Sequence, residues 1–191
     1  MESNIFTYSI SLLFDEISTK NINTLINQIS TITKNFYKID KNIPPHITLG
    51  MFKVPIEQQD NLKKIITEIN STFITGIPTN NKKINLTKLD FFKNKILFLT
   101  IPSDNIQENP SQEILFSLNE QLHNKLLPFY KSACNNFYIP KNFHPHCTLA
   151  TGLSTFQINQ IQKNQNQLII PKSITLNKIS LAIQKPYKKI F

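Results

Sequence analysis

Pro45-His46-Ile47-Thr48-Leu49 and Pro145-His146-Cys147-Thr148-Leu149 are one phrase written twice, a hundred positions apart. The chain has 191 residues, so each half carries one copy. Both copies read as β-strands, in which successive side chains alternate between two faces. His46 therefore shares a face with Thr48, and His146 with Thr148. Ile47 and Leu49, like Cys147 and Leu149, turn the other way, into a core. An imidazole beside a hydroxyl is a plausible catalytic half-site. Two such strands facing each other give two proton carriers and two hydrogen-bond donors around one space.

The length suits one domain or two small lobes, and 40% hydrophobic content is enough for a core. A net charge of +9 points to an anionic partner, nucleic acid first. All 21 basic residues are lysine, and Asn, Ile and Lys abound throughout, so an A/T-rich coding bias explains the charge equally well. Both readings stay open. Two lone cysteines, Cys134 and Cys147, make no disulfide framework and suit a reducing cytosol, with Cys147 packed behind its strand as a small hydrophobe. No stretch has the roughly 18–20 apolar residues of a membrane span, and no signal peptide is visible. A cytoplasmic location is therefore expected.

Outward from the two motifs, Phe6, Tyr8, Ile10 and Leu12 alternate with polar residues and predict a first strand. A helix capped by Ser18 or Thr19 should follow, its stripe running from Ile22 through Leu25, Ile26, Ile29 and Ile32 to Phe36. The first His strand spans 46–52. Pro55 suits the first turn of a helix carrying Leu62, Ile65, Ile66, Ile69 and Phe73. Residues 84–92 and 95–101 predict a hairpin turning near Lys93-Asn94, and 102–110 is linker-like. A helix through Ile114, Leu115, Leu118, Leu122 and Leu126 precedes the second His strand, 146–150. A short helix from Ser154 or Thr155, carrying Phe156, Ile158 and Ile161, and a last strand over 173–183 complete an α+β order.

Paired His-x-Thr motifs of this kind resemble the 2H phosphoesterase superfamily, especially its 2′-5′ RNA ligase-like branch, which includes RNA 2′,3′-cyclic phosphodiesterases. The resemblance extends to the order of elements and so covers most of the chain. It implies one bilobal domain over residues 1–191. Two pseudo-symmetric antiparallel sheets, backed by helices, would flank a central cleft holding both motifs. It also implies an enzyme that acts without metal or other cofactor on RNA ends or nucleotides carrying cyclic phosphate, with reverse 2′-5′ ligation as a side activity. A monomer is expected. Cleavage of 2′-5′ oligonucleotides or cyclic nucleotides, and a catalytically silent RNA-binding module, are the alternatives.

The chemistry of the residues agrees. In-line attack on phosphorus needs one proton removed and another delivered on the opposite side. Two imidazoles with pKa near 6.5 do both at neutral pH if one starts neutral and the other charged. Thr48 and Thr148 would donate to the non-bridging oxygens. By resemblance His146 is the base and His46 the acid, with the roles reversed if a cyclic phosphate is made. Relatives often place a basic residue shortly after the second motif. Here Leu149-Ala150-Thr151-Gly152 carries none, and Lys53 is the candidate substitute, alongside its plainer reading as a surface lysine. His144 and Tyr187 are further candidate substrate contacts. Phe14, Phe52, Phe143 and Tyr138 are candidates, with Tyr187, to stack a base. His123 reads as a helix residue bordering solvent. A zinc site on His46, His144 and His146 lacks a carboxylate, and the repeated threonines have no role in it. A histidine-triad hydrolase would need His where Thr148 stands. Gly50, Gly76 and Gly152 are too few for a phosphate-cradling loop.

Overall fold

The computed structural model describes residues 4–74, 76–78, 82–93, 95–102, 110–133, 136–184 and 187–190. Its strands are β1 (Ile5–Phe14), β2 (His46–Pro55), β3 (Lys83–Ile84), β4 (Lys88–Phe92), β5 (Ile96–Thr100), β6 (Lys131–Ser132), β7 (His146–Ala150), β8 (Ile174–Gln184) and β9 (Tyr187–Lys189). Its α-helices are α1 (Glu16–Thr33), α2 (Tyr37–Asp40), α3 (Gln59–Ile69), α4 (Pro110–Leu126) and α5 (Thr155–Lys163). The architecture is α+β with two antiparallel sheets. One has six strands in the order β3-β8-β1-β2-β6, with β9 also on β8, and the other runs β4-β5-β7. The first motif lies on β2 of the larger sheet and the second on β7 of the smaller.

Local chemistry explains most element boundaries and several departures from expectation. Asp15, not Ser18 or Thr19, caps α1, accepting from the Ser18 amide at 2.8 Å. Ser18 is instead buried in the first turn, where its Oγ accepts from the Thr175 amide. The buried stripe Ile22, Leu25, Ile26 and Ile29 follows helical spacing. The helix does not reach Phe36, because Lys34 turns into the left-handed region (φ 57°) and sends its amide back to the Ser30 carbonyl. Phe36 is left 44% exposed ahead of α2. Pro55 ends β2 opposite Ile5 and caps a single 3-10 turn, Ile56–Gln58, that leads into α3. The run 84–92 is split, since Lys83–Ile84 pair with β8 and only Lys88–Phe92 form the hairpin with β5. Residues 103–109 of the linker-like stretch, Asn94 and Cys134 lie outside the described residues. Ser154 caps α5 through a reciprocal bond with Gln157, and Ile158 and Ile161 are buried while Phe156 stays exposed.

Both motif strands carry the same irregularity at the same place. Ile10 pairs with Gly50 but Ser11 with Thr48, so Leu49 is an extra residue in β2. Leu97 pairs with Ala150 but Phe98 with Thr148, so Leu149 is the extra residue in β7. Such a bulge shifts the alternation of every later side chain by one. On β2 it directs Gly50, Phe52 and Val54 into the core, together with Ile47 and Leu49. Gly50 then faces α4 so closely that a Cβ there would sit 2.9 Å from Phe52 Cε2 and 3.1 Å from His123 Cε1. Phe52 is fully buried and cannot swing aside. Gly50→Ala should therefore destabilise by about 1–3 kcal/mol through overpacking. Thermal unfolding tests this, and an unchanged midpoint would refute the crowding.

The two halves interlock. The α1 helix of the first half packs on β7 and α5, whereas α4 of the second half packs on β2. The last long strand, β8, returns to pair with β1 from Tyr8↔Ile183 to Phe14↔Leu176. One continuous core results, running from Tyr8 and Ile10 through Leu118 and Leu122 to Cys147 and Leu181. Each motif strand is thus braced from behind by the opposite half of the chain.

Candidate active site

The two histidines are held alike. His46 Nδ1 donates to the Pro44 carbonyl at 2.7 Å, and His146 Nδ1 donates to the His144 carbonyl, also at 2.7 Å. A carbonyl only accepts, so each Nδ1 carries the hydrogen, and the neutral ring keeps its lone pair on Nε2. The motif's leading proline supplies the reason. Pro44 and His144 both precede a proline, which confines them to extended backbone. Their carbonyls are thereby aimed at the ring two residues on. Ahead of β7, the Thr100 hydroxyl donates to the Pro145 carbonyl at 2.9 Å and lies 3.3 Å from His144 Nε2, tightening the same segment.

Alternation along three neighbouring strands puts one polar row on one face of the larger sheet. Ser9, Ser11 and Leu13 of β1, His46, Thr48 and Met51 of β2, and Ser180, Ala182 and Gln184 of β8 line a cavity of about 300 Å3. That lies at the lower end of small-ligand sites. Tyr37 and Lys38 of α2, with Tyr138, Thr148 and Thr151 from the second half, complete its walls. A second cavity adjoins it, lined by His146, Phe92, Phe137 and Lys95. Tyr138, Thr148 and Thr151 belong to both. His46 and Thr48 thus line the first cavity, His146 lines the second, and Thr148 stands in the wall common to both.

The second cavity is aromatic. Tyr138 lies nearly parallel to the His146 ring, with centroids 5.7 Å apart and planes 22° apart. Phe92 meets that ring edge-on at 4.9 Å and stacks on Phe137 at 4.5 Å. Buried Asn119 of α4 donates both to the carbonyl of the bulge residue Leu49 and to the Tyr138 carbonyl. It therefore links the first motif to the aromatic wall beside the second.

Electrostatics make both imidazoles reluctant to charge. Burial, then the Lys38 ammonium, push the His46 pKa down to about 4, with the Pro44 carbonyl opposing and His146 adding to the depression. Burial also takes His146 down to about 4, its bond to the His144 carbonyl opposing. Lys38 is 8% exposed, and burial lowers its own pKa. Burial pushes the Cys147 thiol up to about 11, so this neighbour is neutral at pH 7. Among the described residues Lys38 forms no ion pair.

Of the residues singled out from sequence, His46, Thr48 and Thr148 line the first cavity, His146 and Thr148 the second, and Tyr138 both, while Lys53 and His144 line neither. Lys53 is exposed and lines a neighbouring depression with Thr7 and Ser132, not the cavity that His46 lines. The His144 side chain faces another cavity, with Phe116 and Phe143, and serves the motif through its carbonyl. Tyr187 stands opposite Gln184, but its side chain lies outside the described residues. Phe14, Phe52 and Phe143 are core residues, which leaves Tyr138 as the stacking candidate that reaches the site. His123 does not border solvent. It is fully buried against Phe52, with Nδ1 donating to the Asn119 carbonyl, because the Gly50 side of β2 closes over it. Sequence reading missed Lys38, whose burial depends on α2 folding over the cavity. It also missed the serine row, although Ser9 and Ser11 alternate visibly in β1. Among the described residues no three metal-donor side chains cluster, and no helix is long and apolar enough to cross a membrane.

A family model described as the 2′-5′ RNA ligase superfamily matches residues 20–186. No curated protein is significantly similar in sequence. Among solved structures, the chain is similar to E. coli LigT complexed with phosphate, at 13% identity and TM-score 0.48, over 99% of this chain and 96% of that one. It is also similar to E. coli LigT complexed with 3′-AMP, at 13% identity and TM-score 0.45, over 94% and 88% of the two chains. A structure described as a phosphoesterase matches at 12% identity and TM-score 0.44, over 96% and 93%.

Proposed function

The chain belongs to the 2′-5′ RNA ligase superfamily, and from that premise we propose that it is a metal-independent phosphodiesterase opening 2′,3′-cyclic phosphates on RNA ends or nucleotides. The observation that supports this reading is the pair of identically tethered imidazoles, His46 and His146, lining two cavities that have Thr148 in common, with Thr48 beside His46.

In this reading His146 Nε2 takes a proton from water as the water oxygen bonds to phosphorus. The P–O3′ bond breaks, and His46 Nε2 gives its proton to the departing O3′, leaving a 2′-phosphate. One imidazole must enter neutral and the other charged, and each ends in its partner's state. Cyclisation by attack of O3′ runs the same transfers backwards, whereas 2′-5′ joining runs them in the same direction with a 5′-hydroxyl in place of water. Thr48 and Thr148 donate to the non-bridging oxygens, where charge builds in the transition state. Tyr138 and Phe92 offer flat apolar surface for a base.

The test is release of 2′-phosphate from a 2′,3′-cyclic nucleotide in excess EDTA. Turnover there supports the proposal. Activity lost to EDTA and restored by metal refutes its metal-independent form, and RNA affinity without turnover on any phosphodiester favours a binding module. The threonines allow a finer check. Thr48→Val and Thr148→Val keep shape but lose the donor, so each should lower kcat on the order of a hundredfold with a small change in KM. A change confined to KM would assign the hydroxyls to ground-state binding instead.

A further inference from the structure

We propose that Lys38 is the cation that holds the phosphoryl group in this site, in place of the basic residue missing after the second motif. The inference rests on the phosphodiesterase reading and adds a residue to it.

A phosphodiester carries a full negative charge, and its transition state concentrates more charge on the non-bridging oxygens. Neutral imidazoles and hydroxyls offer hydrogen bonds but no net charge. The run after the second motif, Leu149-Ala150-Thr151-Gly152, has none either. Lys53 is exposed and lies outside the cavity wall.

Lys38 meets the requirements that Lys53 fails. It lines the cavity together with His46, Thr48 and Thr148, and its ammonium acts electrostatically on His46. Only 8% of its surface is exposed. Burying a lysine without an opposite charge is costly, and a position that kept one for structure alone would supply a carboxylate. The described residues supply none, and the adjacent Cys147 is a neutral thiol. Ser9, Ser11 and Ser180 give the cavity a polar floor without a countercharge. An incoming phosphoryl group would complete the pair. Its position on the four-residue α2, directly before the first motif, lets it reach the anion from the side of His46.

The experiment compares Lys38→Met, Lys38→Arg and Lys38→Gln with the unsubstituted chain in two assays. One is binding of inorganic phosphate, followed by 31P NMR or calorimetry. The other is kcat/KM on a 2′,3′-cyclic nucleotide. Lys38→Met should keep or raise the unfolding midpoint, because an unpaired buried charge has gone. It should weaken phosphate binding at least about tenfold and lower kcat/KM about a hundredfold. Lys38→Arg should recover a large part of both, and Lys38→Gln should not. Should Lys38→Met fail to fold, the Arg and Gln variants decide, and equal phosphate affinity in those two overturns the proposal. A folded Lys38→Met that binds phosphate and turns over normally also overturns it. If that happens while His46→Ala and His146→Ala are inactive, the phosphodiesterase reading survives and only the role of Lys38 falls. Full activity in all three would remove the reading itself.

Discussion

His46→Ala and His146→Ala should each lose about two to four orders of magnitude in kcat while remaining folded. The argument is geometric. Each ring is fixed at Nδ1 by one main-chain acceptor, which leaves Nε2 for chemistry, and the two rings line cavities with a common wall at Thr148. Removing one ring leaves an uncatalysed proton transfer on one side of phosphorus, whatever the other ring does. The two losses should not multiply. Once either transfer is uncatalysed the reaction is limited there, so the double variant should be little slower than the worse single one. Steady-state kinetics on a cyclic nucleotide, beside circular dichroism of each variant, measure this. Activity within threefold of the unsubstituted chain in either single variant would remove that histidine from the chemistry.

A second large effect is on pH, and it acts on rate and stability in opposite directions. Both histidines have pKa values lowered to about 4 in the free protein, chiefly by burial. At pH 7 both are neutral, so the base is ready and the acid is scarce. The protonated fraction grows tenfold per pH unit, and kcat/KM, which reports the free enzyme, should rise about a hundredfold between pH 7 and pH 5. A bound anion raises both pKa values, so the corresponding limb of kcat should lie at higher pH. Stability moves the other way. Unfolded histidine titrates near 6.5, so between about pH 6.5 and 4 the unfolded chain binds protons that the native chain refuses. The folded state is therefore at full strength above pH 6.5. It loses on the order of 3 kcal/mol per histidine as pH falls to 4. Urea unfolding at pH 7 and at pH 5 checks the sign, and His146→Ala should be less acid-sensitive than the unsubstituted chain. A kcat/KM that falls steadily from pH 7 to 5 while the fold persists would contradict the neutral-pair electrostatics.

What could be read in advance divides along a physical line. The strands bearing His46 and His146 were legible because a period of two is a local property, and β7 spans the expected residues 146–150. The capping serine of α5 was legible for the same reason. Features decided by distant chain were not. His123 sits on a polar-looking turn of α4, and only the approach of Gly50 and Phe52 buries it. Ile84 looked continuous with the hairpin until β8 claimed it. Lys38 looks like any of the other lysines, and its burial arises from the packing of α2 beside the first motif. The paired bulges leave no mark in composition, since an extra leucine in a strand is an ordinary leucine until its neighbour skips it.

The tether on each imidazole has a consequence for genetics. A survey of side-chain replacements that looks for a third partner, the carboxylate that orients histidine in many hydrolases, will return nothing here. The acceptor is a peptide oxygen, present whatever side chain stands at 44 or 144. Weakening the tether takes either an ester in place of that amide or replacement of Pro45 or Pro145, whose rings hold the oxygen in line.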